Sequence, residues 1–203
     1  MSFIRTMARA VLPKAVRQGI HARYHAAVVR RLPDRVFMES RIFPWLEAQK
    51  PRRVLFVGVR AYTEHYPRLL AERGMHVWTV DIDPDAARWG AADHLTRDVC
   101  ALVPADFPEP FDAVVFNGVI GWGVDEPEPI LAALGALRSL VPDGAPMVIG
   151  WNDDRSRDPL ALAGVSEQWE SIAGPSGTTR RAFEGVTHVY DFVRARPRPS
   201  LGN

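Results

Sequence analysis

The chain has 203 residues, 47% of them apolar and 24% charged, a size and balance that suit one globular core rather than two domains. No apolar stretch approaches the roughly eighteen residues that cross a bilayer, residues 1–14 lack the pattern of a secretory signal, and the lone Cys100 excludes an intramolecular disulfide and a cysteine-based zinc site. A net charge of +1 hides a division, with twelve Arg or Lys against three Asp or Glu in residues 1–53 and thirteen against twenty-one in the rest. These features set the expectation of a cytoplasmic protein of bacterial-type composition.

Residues 2–31 predict a helix, in two pieces about Leu12-Pro13, because Ile20, Tyr24, Val28 and Leu32 recur at helical spacing among Arg17, Arg23, Arg30 and Arg31. A second helix is expected over Arg35 to Gln49 and is stopped by Pro51. Residues 1–50 are therefore read as a basic helical extension, 51–195 as the main domain and 196–203 as a frayed tail. The extension has three open roles: docking on the acidic body, peripheral contact with an anionic membrane, or covering an anionic substrate. Its positive charge is almost all guanidinium, which favours paired contacts to carboxylate or phosphate.

The pattern changes at Arg53. Val54-Leu55-Phe56-Val57 is a continuous apolar run between Pro51 and Gly58, as in a strand covered on both faces. A helix follows over Glu64 to Arg73 and closes on Gly74. His76 to Val80 predicts a second strand ending at Asp81, and Asp85 to Gly90 a short helix. A third strand is expected over Leu95 to Val99 and a fourth over Phe111 to Phe116. Glu128 to Leu140 is helical, and Pro142-Asp143-Gly144 turns into a fifth strand, Pro146 to Trp151. Residues 153–180 read as a loop with one helix around Val165 to Ile172, and His188 to Val193 as a terminal strand. Strand and helix alternating at this pace predict a mostly parallel sheet with helices on both sides.

In such sheets ligands bind beyond the carboxyl ends of the strands, where the strand order reverses. The rule selects Gly58 to Thr63, Asp81 to Asp83, Asp98-Val99, Asn117 to Asp125 and Asn152 to Asp154. Asp81 lies 23 residues past Gly58, near the distance at which a doubly wound fold places an acid on the ribose hydroxyls of a nucleoside. Asp83 is open between that role and capping the next helix.

Over Arg53 to Asp154 the order of features resembles the class I S-adenosylmethionine (SAM)-dependent methyltransferases. The segments are "VLFVGVRAYT" (54–63), "VWTVDIDP" (77–84), "TRDV" (96–99), "FDAVVFNGVIGWG" (111–123) and "ALRSLVPDGAPMVIG" (136–150). The resemblance implies a doubly wound, mostly parallel, seven-stranded Rossmann-like sheet and methyl transfer from SAM, with S-adenosylhomocysteine as product. It implies cofactor contacts from Gly58, Val59, Arg60, Tyr62 and Thr63 after the first strand, and from Asp81, Ile82 and Asp83 after the second. Asp98 and Val99 would hold the adenine, and Asn117 and Gly118 would complete the site.

The family's first motif carries three glycines, and here Arg60 and Tyr62 stand in the places of the second and third. Two readings of Arg60 stay open: it pairs with the cofactor carboxylate, or it fills the cofactor's space and the domain is a non-catalytic binding protein. A SAM-binding enzyme with other chemistry is a further alternative. Loss of the glycines counts against a nicotinamide dehydrogenase, whose pyrophosphate needs them. Trp122 is open between a substrate wall and a core residue, His65 between a base and a helix residue, and His188 reads as structural. No catalytic residue is assigned, and no metal-ligand spacing is present. The arginines of the extension point to a small-molecule, anionic or lipid-linked acceptor, and the lack of interleaved aromatics argues against a nucleic-acid partner.

Overall fold

In the computed structural model of the protein, residues 27–198 are described, so most of the expected first helix (2–31) and the end of the tail (199–203) lie outside them. The first elements are α1 (Pro33–Phe37), a π-helical turn (Met38–Ile42) and α2 (Phe43–Ala48). Then follow β1 (Arg53–Val57), α3 (Tyr66–Ala71), β2 (His76–Asp81), β3 (Asp93–Thr96) and β4 (Ala113–Asn117). The chain continues through α4 (Pro127–Ser139), β5 (Pro146–Asn152), α5 (Val165–Gln168), β6 (Trp169–Ser171), β7 (Arg180–Phe183) and β8 (Val186–Ala195).

Strands β1 to β5 are parallel in the order β3-β2-β1-β4-β5, and β8 is antiparallel to β5. Because successive side chains point to opposite faces, β1 sends Leu55 and Val57 into one core and Val54 and Phe56 into the other. The first core holds Leu134 and Leu137 of α4 and Trp169. The second holds Met38, Ile42, Phe43 and Leu46 from residues 33–48, with Tyr66 and Leu70 of α3. A helical layer on each side explains why the central strands read as unbroken apolar runs. Among the described residues no helix is long and apolar enough to cross a membrane.

The sheet has eight strands rather than the seven expected. The ten-residue β8 pairs with β5 along one edge, while β6 and β7 share the other edge in succession. They behave as one edge strand interrupted by an excursion. Ile172 N–H donates to the Phe192 carbonyl and Phe192 N–H to the Thr179 carbonyl, at 2.9 and 3.0 Å. Residues 173–178 between them close on themselves through Gly174 N–H to the Thr178 carbonyl, at 2.9 Å. The helix expected over Val165 to Ile172 therefore stops at Gln168, where Trp169 turns extended and buries its ring. The third strand, expected over Leu95 to Val99, runs from Asp93 to Thr96, because Asp98 caps the turn that follows.

Segment 153–180 is tied to the sheet by charge. Asp191 in β8 is fully buried and accepts the Trp151 indole N–H at 2.8 Å. The Arg180 fork donates to both its oxygens, at 2.6 and 2.9 Å, and also to both oxygens of Asp158.

Strand order reverses at β1, which has β2 on one side and β4 on the other. The chain leaves β1 through Gly58, whose φ of +93° favours glycine, and a Cβ there would lie 2.1 Å from the Asn117 carbonyl oxygen. Gly58→Ala should therefore lower the unfolding free energy by about 2–3 kcal/mol in urea denaturation. A loss within about 0.5 kcal/mol would show that the junction between β1 and β4 relaxes freely.

Candidate functional site

Past Gly58, Val59 N–H donates to Asp81 Oδ2 at 2.8 Å. Arg60 is extended and starts a short 3-10 turn, Ala61–Thr63, in which Thr63 Oγ1 accepts from Arg60 N–H at 3.0 Å and donates to its carbonyl. The Arg60 side chain folds back, and its Nη1 donates to Asp81 Oδ2 and to the Val59 carbonyl, each at 2.7 Å. Asp81 ends β2 and is only 5% exposed. Its Oδ1 accepts Asp83 N–H at 2.9 Å. The next residue, Ile82, projects its apolar side chain outward at 66% exposure.

A cleft of about 170 Å³ that opens to solvent lies at this edge. Of the expected residues, Gly58, Arg60, Asp81, Ile82, Asp98, Val99 and Gly118 line it. Arg97, Val119 and Val124 also line it, from within the segments selected in the sequence, whereas Cys100 and Pro129 line it from outside them and carried no motif signal.

The other expected residues point elsewhere. Thr63 and Asn117 are buried. Asp83 caps the 3-10 turn Pro84–Trp89 by accepting Asp85 N–H at 2.9 Å. Asp98, which does line the cleft, also caps a turn, Val99–Ala101, through Cys100 N–H. Tyr62 stacks under the Arg35 guanidinium, 5.1 Å from its ring centre. Val59 reaches Asp81 through its backbone only, its side chain being buried. His65 faces Glu39 at 2.8 Å and packs on Tyr66, in the helical layer rather than the cleft.

No protein-family model and no curated protein matches the chain. Among solved structures it is similar to N-methyltransferase NodS from Bradyrhizobium japonicum WM9 in complex with S-adenosyl-L-homocysteine. The TM-score is 0.59 at 14% identity, over 81% of this chain and 89% of that one. It is similar to a TehB-like SAM-dependent methyltransferase from Corynebacterium glutamicum, with a TM-score of 0.57 at 18% identity over 88% and 100%. A fibrillarin pre-rRNA processing protein from Methanococcus jannaschii gives 0.53 at 14% identity over 72% and 67%. The fold is that of the class I methyltransferases. At these identities the likeness is one of fold, and chemistry resides in the particular residues that this chain places at the cleft.

In this methyltransferase fold the carboxyl ends of β4 and β5 and the amino end of β8 form a second cluster beside the cleft. Asn117, at the end of β4, sits against Gly150, where a Cβ would lie 2.1 Å from its Oδ1. That oxygen is 3.0 Å from His188 Nε2, and His188 Nδ1 is 3.3 Å from Asn152 Oδ1. Asn152 Oδ1 also accepts the Trp122 indole N–H at 3.2 Å. Trp122 is 55% exposed and lines the cleft, so it is a wall rather than a core residue. The Arg155 guanidinium lies 3.8 Å over its ring centre, a cation–π contact. Cys100 has its thiol pushed up to about 11, first by burial and then by the Asp98 charge, so it is a protonated, apolar wall at neutral pH.

His188 is 2% exposed, and burial, with the Arg35 charge as a smaller cause, pushes it down to about 3. It is neutral in the folded protein while the unfolded chain takes up a proton near its ordinary 6.5. The unfolded state therefore binds more protons below that value. Stability is complete above about pH 6.5 and falls as pH drops toward 3. Between pH 6.5 and 4.5 the wild type should lose roughly 2 kcal/mol more than His188→Gln in urea denaturation. Parallel curves for the two proteins would show that His188 is solvated.

Proposed function

We propose that the protein is a SAM-dependent methyltransferase acting on a small-molecule acceptor that carries negative charge, free or lipid-linked. The observation that carries this reading is Asp81, a nearly buried carboxylate at the end of β2 that lines a cleft beside the reversal of strand order. The residues fit an adenosine. Asp81 supplies acceptors for ribose hydroxyls, while exposed Ile82, with Val99 and protonated Cys100, offers apolar surface to a base next to Asp98. Two of the solved proteins that this chain resembles over most of its length are themselves methyltransferases, which supports the same reading.

The bound sulfonium supplies a methyl carbon already activated for in-line attack. The chain's part is to hold the acceptor in line, a contribution that reaches ~7–11 kcal/mol in favourable cases. Trp122 is held by Asn152 and flanked by Arg155 at the mouth of the cleft. It offers a flat surface beside a guanidinium, which suits an acceptor bearing a carboxylate or phosphate. His188, held neutral and buried between the oxygens of Asn117 and Asn152, has one ring proton to donate to one of them and takes no proton from the acceptor at neutral pH.

One observation favours the alternative of a non-catalytic domain, namely the ion pair that covers Asp81. Calorimetric titration with S-adenosylhomocysteine decides between them. The wild type should bind in the micromolar range and Asp81→Ala at least about tenfold more weakly, equal to ~1.4 kcal/mol. Absence of heat and of a thermal shift in the wild type would leave the fold as a binding scaffold.

A further inference from the structure

Asp81 is engaged at both oxygens. Oδ1 accepts Asp83 N–H, while Oδ2 accepts Val59 N–H and Arg60 Nη1. An ionised carboxylate offers about four acceptor positions, so these three donors leave roughly one, and a vicinal diol needs two. The two backbone donors are fixed by the turns that carry them. Arg60 differs: its side chain is 40% exposed against 4% for Asp81, and it swings on rotatable bonds. Arg60 is therefore the donor that a ribose would displace.

Once displaced, the guanidinium stays at the same cleft, since Arg60 lines it. Among the described residues all its hydrogen bonds run through Nη1, leaving Nε and Nη2 as a free edge. Such an edge is matched by a carboxylate, which it binds with two parallel hydrogen bonds. We propose that Arg60 is exchanged between two carboxylates: it holds Asp81 in the free protein and the α-carboxylate of the bound amino-acid-bearing nucleoside in the complex. The inference rests on the reading of the cleft as a SAM site and adds a specificity residue to it. A nucleoside with the amino-acid tail replaces the ion pair that it breaks. A nucleoside without the tail breaks the pair and gives nothing back, so Arg60 selects for the tail.

The test compares S-adenosylhomocysteine with 5′-methylthioadenosine, which keeps the adenosine and thioether and lacks the amino-acid tail. Both are titrated by calorimetry into wild type, Arg60→Ala and Arg60→Lys, with thermal melts to check folding. Asp81 keeps its two backbone donors in these variants, so the loop should hold. Arg60→Ala should bind S-adenosylhomocysteine about tenfold more weakly and 5′-methylthioadenosine several-fold more tightly, with Arg60→Lys between. Tightening of both ligands would make Arg60 a plain plug and overturn the exchange. An unchanged preference between them would overturn it too, by placing the carboxylate elsewhere. If wild type and variants alike bind neither ligand, the adenosine reading of the cleft fails first and the exchange with it.

Discussion

The carboxylate of Asp81 is where the loops after β1 and β2 meet, and the carboxyl edge of the sheet is organised around it. It stands 5% exposed and gathers two backbone N–H groups and one guanidinium. A buried carboxylate left with fewer donors is costly to keep ionised. The path of the chain through Gly58, Val59 and Arg60 answers that demand as much as it follows from the sheet. The tight turn at Gly58 brings Val59 N–H to Asp81, and the extended Arg60 returns its side chain to the same oxygen. The anchor of the loop is thus the group on which a nucleoside would draw.

Much of this architecture was legible in the sequence because β1, β2, β4 and β5 are covered on both faces and announce themselves as apolar runs. Gly58 and Asp81 were legible for a related reason, since a glycine and an acid stand out where they end such runs. The short β3 is only half-buried, and its end was displaced because Asp98 serves the next turn instead. The edge strand β6 and β7 was hidden by its charges and by the six-residue interruption within it. Closure of Arg60 on Asp81 lay outside any pattern, because it depends on where an extended residue sends a long side chain. The cluster of Asn117, His188 and Asn152 was invisible on different grounds. It is assembled by the register that sets Asn152 against His188 across β5 and β8, a pairing of distant segments.

A second buried carboxylate, Asp191, does for the far side of the sheet what Asp81 does for the cleft. Burial raises it above the usual carboxylate range, while Arg180 and the Trp151 indole oppose that shift. Arg180 meanwhile holds Asp158 below its usual range. Removing the arginine would strand a buried charge, which is why such a fork is more sensitive to loss of one partner than a surface pair. Through it the segment after β5, with Arg155 above Trp122, is fixed in front of the cleft rather than left to drift.

The excursion at residues 173–178 has a bearing on how the molecule behaves in a crowded solution. An uninterrupted outer strand beside β8 would present a row of unpaired N–H and carbonyl groups on which a second chain can be templated. Here that row is broken in the middle by a loop closed on itself, and its two short halves carry Glu170, Arg180 and Arg181. Neither half is long enough to register a foreign strand securely, and their charges discourage one from settling. The irregularity that obscured the last strands in the sequence thus also keeps the open margin of the sheet from seeding aggregation.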